Sequence, residues 1–336
     1  SMEKKPGSNT TKEIKDSFNR VHNYLRISLT DRCNLRCSYC MPSWSDFKVG
    51  EYLLNAGEIE TLASAFVDMG VTKIRLTGGE PLMRKDFSGI AERISKLNTS
   101  LHITTNGFYI DRYIDLLAAR FNSINISLDT LKPERFTAIT RRGYFSRVMN
   151  NLALVLEKNM ETKLNVVVIK HTNHDEIKDF VRLTLHHPVE VRFIEFMPFR
   201  GNQWNESRTY TAQEMLRDIK QDYDVGKLGI SSHDTAEKYR VNGAKGSFGF
   251  ISTVSHPFCS RCNRIRITAD GKLRLCLFGD KEYDLKPFLR NLNELQNFIT
   301  DVFALKNYKH GGITSIADSC AENMHSNDRC MTAIGG

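Results

Sequence analysis

Three cysteines fall within one short run, Asp31-Arg32-Cys33-Asn34-Leu35-Arg36-Cys37-Ser38-Tyr39-Cys40. A Cys-x-x-x-Cys-x-x-Cys loop can wrap three corners of a four-iron cubane, and the fourth iron is then open to bind a reactant. The same logic separates an open catalytic metal site from a closed structural one. A second trio, Cys259, Cys262 and Cys276, repeats the incomplete count far down the chain. The competing reading for the first trio is a zinc site completed by His22 or Asp31, or three unrelated thiols, and for the second a zinc site with His256. Cys320 or Cys330 would also close the second site and make it purely structural or electron-transferring; otherwise both are ordinary thiols. Structural zinc usually presents paired Cys-x-x-Cys units and four ligands, which neither trio does.

Further residues gather round these thiols. Tyr39 lies between the last two ligands of the first trio, where its ring can pack on a bound planar group. Arg264 and Arg266 alternate just after Cys262, so both can face a phosphate or a purine beside the second trio. Gly78-Gly79-Glu80-Pro81 follows a strand-like run, and its two glycines allow close approach of backbone to a ligand. By itself that tetrapeptide is a common turn.

The elements that must position these residues are legible from periodicity. Strand-like runs occur at Tyr24-Leu29, Lys73-Thr77, Leu101-Thr105, Ser123-Leu128, Lys163-Ile169 and Glu190-Phe196, with helix-length segments between them. Ile59, Leu62, Ala63, Phe66 and Val67 mark one apolar helical face, and Ile177, Phe180 and Val181 another. Such βα alternation predicts a parallel sheet of about six strands. Within the strands, Leu25, Ile27 and Leu29 share one face while Arg26, Ser28 and Thr30 share the other. The same split recurs at Ile74 and Leu76 against Lys73, Arg75 and Thr77. Ile124, Ile126 and Leu128 oppose Asn125, Ser127 and Asp129, and Leu164 and Val166 oppose Lys163 and Asn165. Ordinary doubly wound sheets are apolar on both faces, so this pattern predicts a curved sheet with a polar, ligand-holding interior. The run at 190–196 is mixed and fits less well. The fold class expected is α/β, a partial (β/α) barrel of about six parallel strands, with a C-terminal extension carrying a second iron-sulfur cluster. Gly243, Gly246 and Gly249 precede the second trio, so the expected division is a disordered arm at 1–15, a barrel domain at 16–240 and a C-terminal domain at 241–336.

The bulk properties bound these readings. The chain has 336 residues and is 40% hydrophobic, which suits a large globular fold. Ser1 before Met2 reads as an expression scar. No apolar stretch approaches the ~18 residues of a membrane span, and the N-terminus lacks the order of a secretory signal, so a cytoplasmic protein without membrane contact is expected. Eight cysteines, six of them in two groups, favour metal ligation in a reducing compartment over disulfides. A net charge of +8 spread along the chain favours a small anionic ligand over nucleic acid.

The first trio, followed by a polar-faced strand and Gly-Gly-Glu-Pro, resembles the radical S-adenosylmethionine superfamily. With Leu25-Arg26-Ile27-Ser28, Thr104-Thr105-Asn106-Gly107, Arg192-Phe193-Ile194-Glu195-Phe196-Met197-Pro198, Phe258-Cys259-Ser260-Arg261-Cys262-Asn263-Arg264-Ile265-Arg266 and the terminal Gly335-Gly336, the chain resembles the GTP 3',8-cyclases of molybdenum cofactor biosynthesis from about Asp16 onward. This resemblance implies two 4Fe-4S clusters, held by Cys33, Cys37 and Cys40 and by Cys259, Cys262 and Cys276. It implies S-adenosylmethionine against Tyr39, Gly79, Ser127 and Met197, and GTP against Arg26, Arg75, Thr104, Lys163, Arg264, Ile265 and Arg266. The implied reaction abstracts the ribose 3' hydrogen of GTP and closes the sugar onto guanine C8. It would use a low-potential electron donor of flavodoxin or ferredoxin type and feed a downstream pyranopterin-forming enzyme, and a homodimer is compatible with it. The Gly-Gly tail would lie near the active site. Ser43 to Val49 and the loop from Phe199 to Asn205 follow the family only loosely. Two rivals stand beside this reading: another two-cluster radical enzyme such as a peptide maturase, and a non-enzymatic iron-sulfur or zinc carrier.

Overall fold

The computed structural model describes residues 13–40, 52–199, 201–229, 234–309, 311 and 329–335. Six strands follow one another in chain order: β1 (Tyr24–Ser28), β2 (Lys73–Thr77), β3 (Ser100–Thr105), β4 (Ser123–Ser127), β5 (Glu161–Val168) and β6 (Val189–Glu195). Each pairs in parallel with the next. The crossovers carry helices α1 (Ala56–Asp68), α2 (Phe87–Ile94), α3 (Ile110–Arg120), α4 (Pro133–Thr140), α5 (Phe145–Glu157) and α6 (Ile177–His186).

Local chemistry sets these helices where the apolar period predicts them. Asn55 caps α1 by accepting the Glu58 N–H at 2.9 Å, and Glu58 returns the favour to the Asn55 N–H at 2.9 Å, a reciprocal capping box. The apolar strand face is buried beneath the helices: Ile27, Ile74, Leu76, Ile103, Ile124, Ile126 and Leu164 have no exposure. They join Ile59, Leu62, Phe66, Ile90, Val148 and Val181 from the helices in one core.

The sheet is larger than the six strands and does not close. Six more strands, β7 (Val225–Lys227), β8 (Glu237–Val241), β9 (Ser247–Ile251), β10 (Arg264–Ile267), β11 (Lys272–Arg274) and β12 (Tyr283–Asp284), extend both margins. β10 pairs in parallel with β1, and β9 in parallel with β6; the others add antiparallel ribbons outside them. Periodicity missed these flanks because they are short and four of them, β7, β8, β11 and β12, pair only as antiparallel ribbons. Beyond the sheet, α7 (Ala212–Lys220) and α8 (Leu292–Phe303) precede a short C-terminal helix, Met331–Ile334.

The expected arm at 1–15 lies largely outside the described residues. Its end does not: Ile14 is 1% exposed and Lys15 bridges to Val21, so ordered structure begins before residue 16 because an apolar side chain there finds the core. Ser43 to Val49, Cys320 and Gly336 also lie outside the described residues. Among the described residues, no helix is long and apolar enough to cross a membrane.

Candidate functional site

The strand registers turn the period-2 pattern into rows of side chains. Arg266, Arg26, Arg75 and His102 are consecutive partners across β10, β1, β2 and β3. One step toward the strand starts, Arg264, Tyr24, Lys73 and Ser100 do the same. Thr104, Asn125, Lys163 and Glu190 form a third run, and Ser127, Asn165 and Arg192 a fourth. With neighbouring strands about 4.8 Å apart, cations on adjacent strands stand side by side. Ile265 alternates to the other face beside Leu25 and is fully buried, so its side chain is turned away from the polar face.

This interior is densely cationic and partly to fully buried. Arg75 is 1% exposed and donates from Nε to the Tyr24 hydroxyl at 2.7 Å and from a terminal nitrogen to the Ile103 carbonyl at 2.9 Å. The same hydroxyl accepts from Arg26 at 3.0 Å, and Lys73 lies 4.6 Å above the Tyr24 ring. Burial, sharpened by neighbouring guanidinium groups, pulls Arg26 down to about 10 and Arg266 to about 9. Burial likewise lowers Lys73 to about 8 and Arg192 to about 10. Burial resists ionisation of the Tyr24 phenol, yet Arg26, Arg75, Lys73 and Arg264 together hold it well below its usual range. Thr104 Oγ1, Asn125 Oδ1 and Arg264 Nε are buried with no protein hydrogen-bond partner. Positive groups gathered out of water, with donors left over, suit a polyanion with a polar body.

At the C-terminal ends of these strands lies a cavity lined by Cys33, Cys37, Tyr39, Cys40, Gly78, Gly79, Thr104, Ser127, Asp129, Asn165 and Met197. All three cysteines of the first trio therefore face one space with Tyr39, Gly79, Ser127 and Met197. The cysteine loop is pinned to the end of α4 by Arg36 N–H to the Thr140 carbonyl at 2.9 Å and Ser38 N–H to the Ile139 carbonyl at 3.3 Å. Gly79 N–H donates to the Thr30 carbonyl at 2.7 Å and Glu80 N–H to the Arg32 carbonyl at 2.8 Å. A Cβ on Gly79 would strike the Arg32 carbonyl oxygen, so only glycine permits this approach.

Two buried carboxylates, which residue types alone do not single out, organise that cavity. Glu80 accepts from Thr105 Oγ1 and the Asn106 N–H, each at 2.7 Å, and Asn106 in turn directs its amide at Cys33 Sγ, 3.7 Å away. Burial raises Glu80 to about 7 against these hydrogen bonds. Asp129 accepts from the Tyr39 hydroxyl and, at 2.8 Å, from the Val167 N–H. Its place in line with the polar face, two residues past the end of β4, was visible from alternation, whereas its pairing with Tyr39 needs the fold.

The second trio lines another cavity with Phe258, Arg264, Arg266, Leu275 and Phe278. Cys259 begins a 3-10 turn, Cys259–Arg261, and Cys262 N–H returns to the Cys259 carbonyl at 3.2 Å. Cys276 follows the end of β11. The alternative zinc ligand His22 is committed elsewhere, with Nε2 2.9 Å from Asp16 Oδ2. Among the described residues, no three His, Cys, Asp or Glu side chains converge round a single ion. Three thiols lining one cavity, with N–H groups of Leu35 and Asn106 turned to Cys33 Sγ, suit thiolate ligands of an iron-sulfur cluster.

Comparison with known proteins decides the family. The Radical SAM superfamily model matches residues 27–184, and the Molybdenum Cofactor Synthesis C model matches residues 189–312. The GTP 3',8-cyclase of Peptoclostridium acidaminophilum is 40% identical over 88% of this chain and 92% of its own length. The chain belongs to the GTP 3',8-cyclase family. Membership brings S-adenosylmethionine and 4Fe-4S chemistry with it. Molybdenum cofactor biosynthesis protein 1 of Drosophila melanogaster is 44% identical over 86% of the chain but only 52% of its own length, so the chain spans about half of such relatives. In fold, the chain superposes on the crystal structure of Streptococcus suis SuiB bound to S-adenosylmethionine with a TM-score of 0.65 at 16% identity, covering 88% of this chain and 68% of SuiB.

Proposed function

We propose that the chain converts GTP to 3',8-cyclo-7,8-dihydro-GTP, the first step of molybdenum cofactor biosynthesis. The observation that carries this reading is the row Arg266, Arg26 and Arg75, in register across three strands with its two outer members buried, beside a cavity lined by the second cysteine trio. In this reading Cys33, Cys37 and Cys40 hold one 4Fe-4S cluster, and Tyr39, Gly79, Ser127 and Met197 hold S-adenosylmethionine. When bound, this pair would supply one-electron chemistry able to abstract a hydrogen atom from the ribose.

The chain's own residues do the positioning. Arg26, Arg75 and Lys163 neutralise the triphosphate, and Thr104 offers its unpartnered hydroxyl to the sugar side. Arg264 and Arg266 orient the guanine beside a second cluster on Cys259, Cys262 and Cys276, with Ile265 holding the strand between them. Fixing sugar and base in a single reactive geometry is the main contribution a protein makes to cofactor-driven chemistry. The burial of Arg75, Asn125 and Arg266 on this face limits water beside a reactive carbon centre. The Gly335 carbonyl accepts from Arg266 at 2.9 Å, and a Cβ there would lie 2.8 Å from Thr77 Oγ1, which favours a Gly-Gly tail reaching the substrate.

The same proposal treats β1 to β6 as a partial barrel and residues 241–336 as the portion that adds the second cluster to a 16–240 core. β8 crosses residue 240, so that division concerns chemistry more than packing. A cytoplasmic location, an external low-potential donor, a pyranopterin-forming successor and self-association into a homodimer complete the reading.

The test is anaerobic turnover of iron-loaded protein with S-adenosylmethionine and GTP deuterated at ribose C3'. Deuterium is expected in the 5'-deoxyadenosine released. Cleavage without transfer would remove GTP as substrate and favour a peptide or other acceptor, and zinc in place of iron with no cleavage would favour a carrier.

A further inference from the structure

Lys306 is 5% exposed, just beyond the end of α8, and its ammonium donates toward Cys262 Sγ at 3.8 Å. The charged groups that bear on it are Cys262, Cys276, Arg20 and Asp16. One guanidinium holds both sides of this contact. Arg20 donates to the Cys259 carbonyl at 2.7 Å and to the carbonyls of Asn307 and Tyr308 at 3.0 and 2.8 Å, while Asp16 accepts from its Nε at 2.6 Å. The loop carrying Lys306 and the turn carrying Cys259 and Cys262 are therefore fastened to one point.

The two trios sit in opposite electrostatic surroundings. The first trio faces carboxylates: Glu80 holds Asn106, whose amide points at Cys33 Sγ, and Asp129 accepts from Tyr39, the neighbour of Cys40. The second trio faces cations instead: Lys306 reaches Cys262 Sγ, and Arg264 and Arg266 line the same cavity. Nearby charge and hydrogen bonds to sulfur are the means by which a protein sets the potential of an iron-sulfur centre.

We propose that Lys306 is a positioning residue for the second centre, one that raises its reduction potential by holding a buried positive charge against Cys262, with Arg20 as the clamp that fixes it there. The inference rests on the second trio holding a cluster. A cation on a ligand sulfur stabilises the reduced, more negative state, so the centre beside Lys306 accepts an electron more readily than it would beside a neutral side chain.

The experiment uses the full chain carrying Cys33→Ala, Cys37→Ala and Cys40→Ala, so that only the second trio can be loaded. After anaerobic treatment with iron and sulfide, the midpoint of that centre is read by dye-mediated titration with EPR detection. Lys306→Met is expected to lower the reduced-to-oxidised ratio at a fixed solution potential about tenfold, about 59 mV for one electron. Lys306→Arg, which keeps the charge, should restore most of it. Should Lys306→Met not take up iron, Lys306→Gln is measured by the same criterion. Equal midpoints at equal iron content in the charged and neutral variants would overturn the role of Lys306. Failure of the parent with Lys306 intact to take up iron would overturn the reading of the second trio as a cluster site.

Discussion

Tyr24 shows how a single phenol can manage a surplus of positive charge. Its hydroxyl accepts from both Arg26 and Arg75, and its ring lies under Lys73 and near Arg264. Phenylalanine would keep the ring and lose the shared acceptor, leaving two guanidinium groups to spread. A hydrogen bond to a charged group contributes about 1.5 kcal/mol or more, so Tyr24→Phe should weaken GTP binding about tenfold, seen as a raised KM with a smaller change in kcat. Unaltered GTP affinity would show that the arginines are held by backbone and strand register alone. The grouping of Cys33, Cys37 and Cys40, and the place of Arg26, Arg75 and Lys163 on one polar face, were legible because type and spacing carry that much. Asp129 with Tyr39, and Glu80 with Asn106, were not, because each pair joins separate crossovers and is brought together only by the sheet.

At the scale of elements, alternation worked best where the two strand faces have different solvents. β2 spans the expected Lys73–Thr77, and β4 and β5 differ from expectation only at their ends. The mixed run near 190 joins the pattern once paired: Glu190 stands beside Lys163 and Arg192 beside Asn165, so its polar residues face the same interior. β10 was legible as Arg264-Ile265-Arg266 but not as the neighbour of β1, since nothing local encodes a partner so distant in sequence. α1 offers a test of how local its stability is. Asn55→Ala should cost about 1 kcal/mol in chemical denaturation, through loss of the reciprocal cap, while leaving S-adenosylmethionine cleavage by the loaded protein unaffected. A much larger loss would mean the cap also fixes the preceding segment.

For the whole molecule, the segment before β1 makes stability depend on acid. His22 is fully buried, its Nε2 bonded to Asp16, with Phe303 packed 4.9 Å from its ring. Burial first, then the charge of Lys306, lowers it from 6.5 to about 4, Asp16 opposing and Arg20 reinforcing. The folded state therefore binds fewer protons than the unfolded one between these values. The contribution of neutral His22 is complete above about pH 6.5 and is lost as pH falls toward 4, up to about 3 kcal/mol. Urea midpoints measured from pH 7 to pH 4 should fall less steeply in His22→Gln than in the parent; identical slopes would remove His22 from the acid response. The pairing of β1 with β10 has a further consequence, in the time domain. Asn23 and Asn263, which flank that pair and touch across it, are 240 residues apart. Synthesis proceeds at about 5–20 residues per second, so β1 emerges some tens of seconds before its partner and meanwhile presents an open margin. The nascent chain has to keep that margin from foreign strands while it waits, and the second cysteine site can be assembled only after the wait is over.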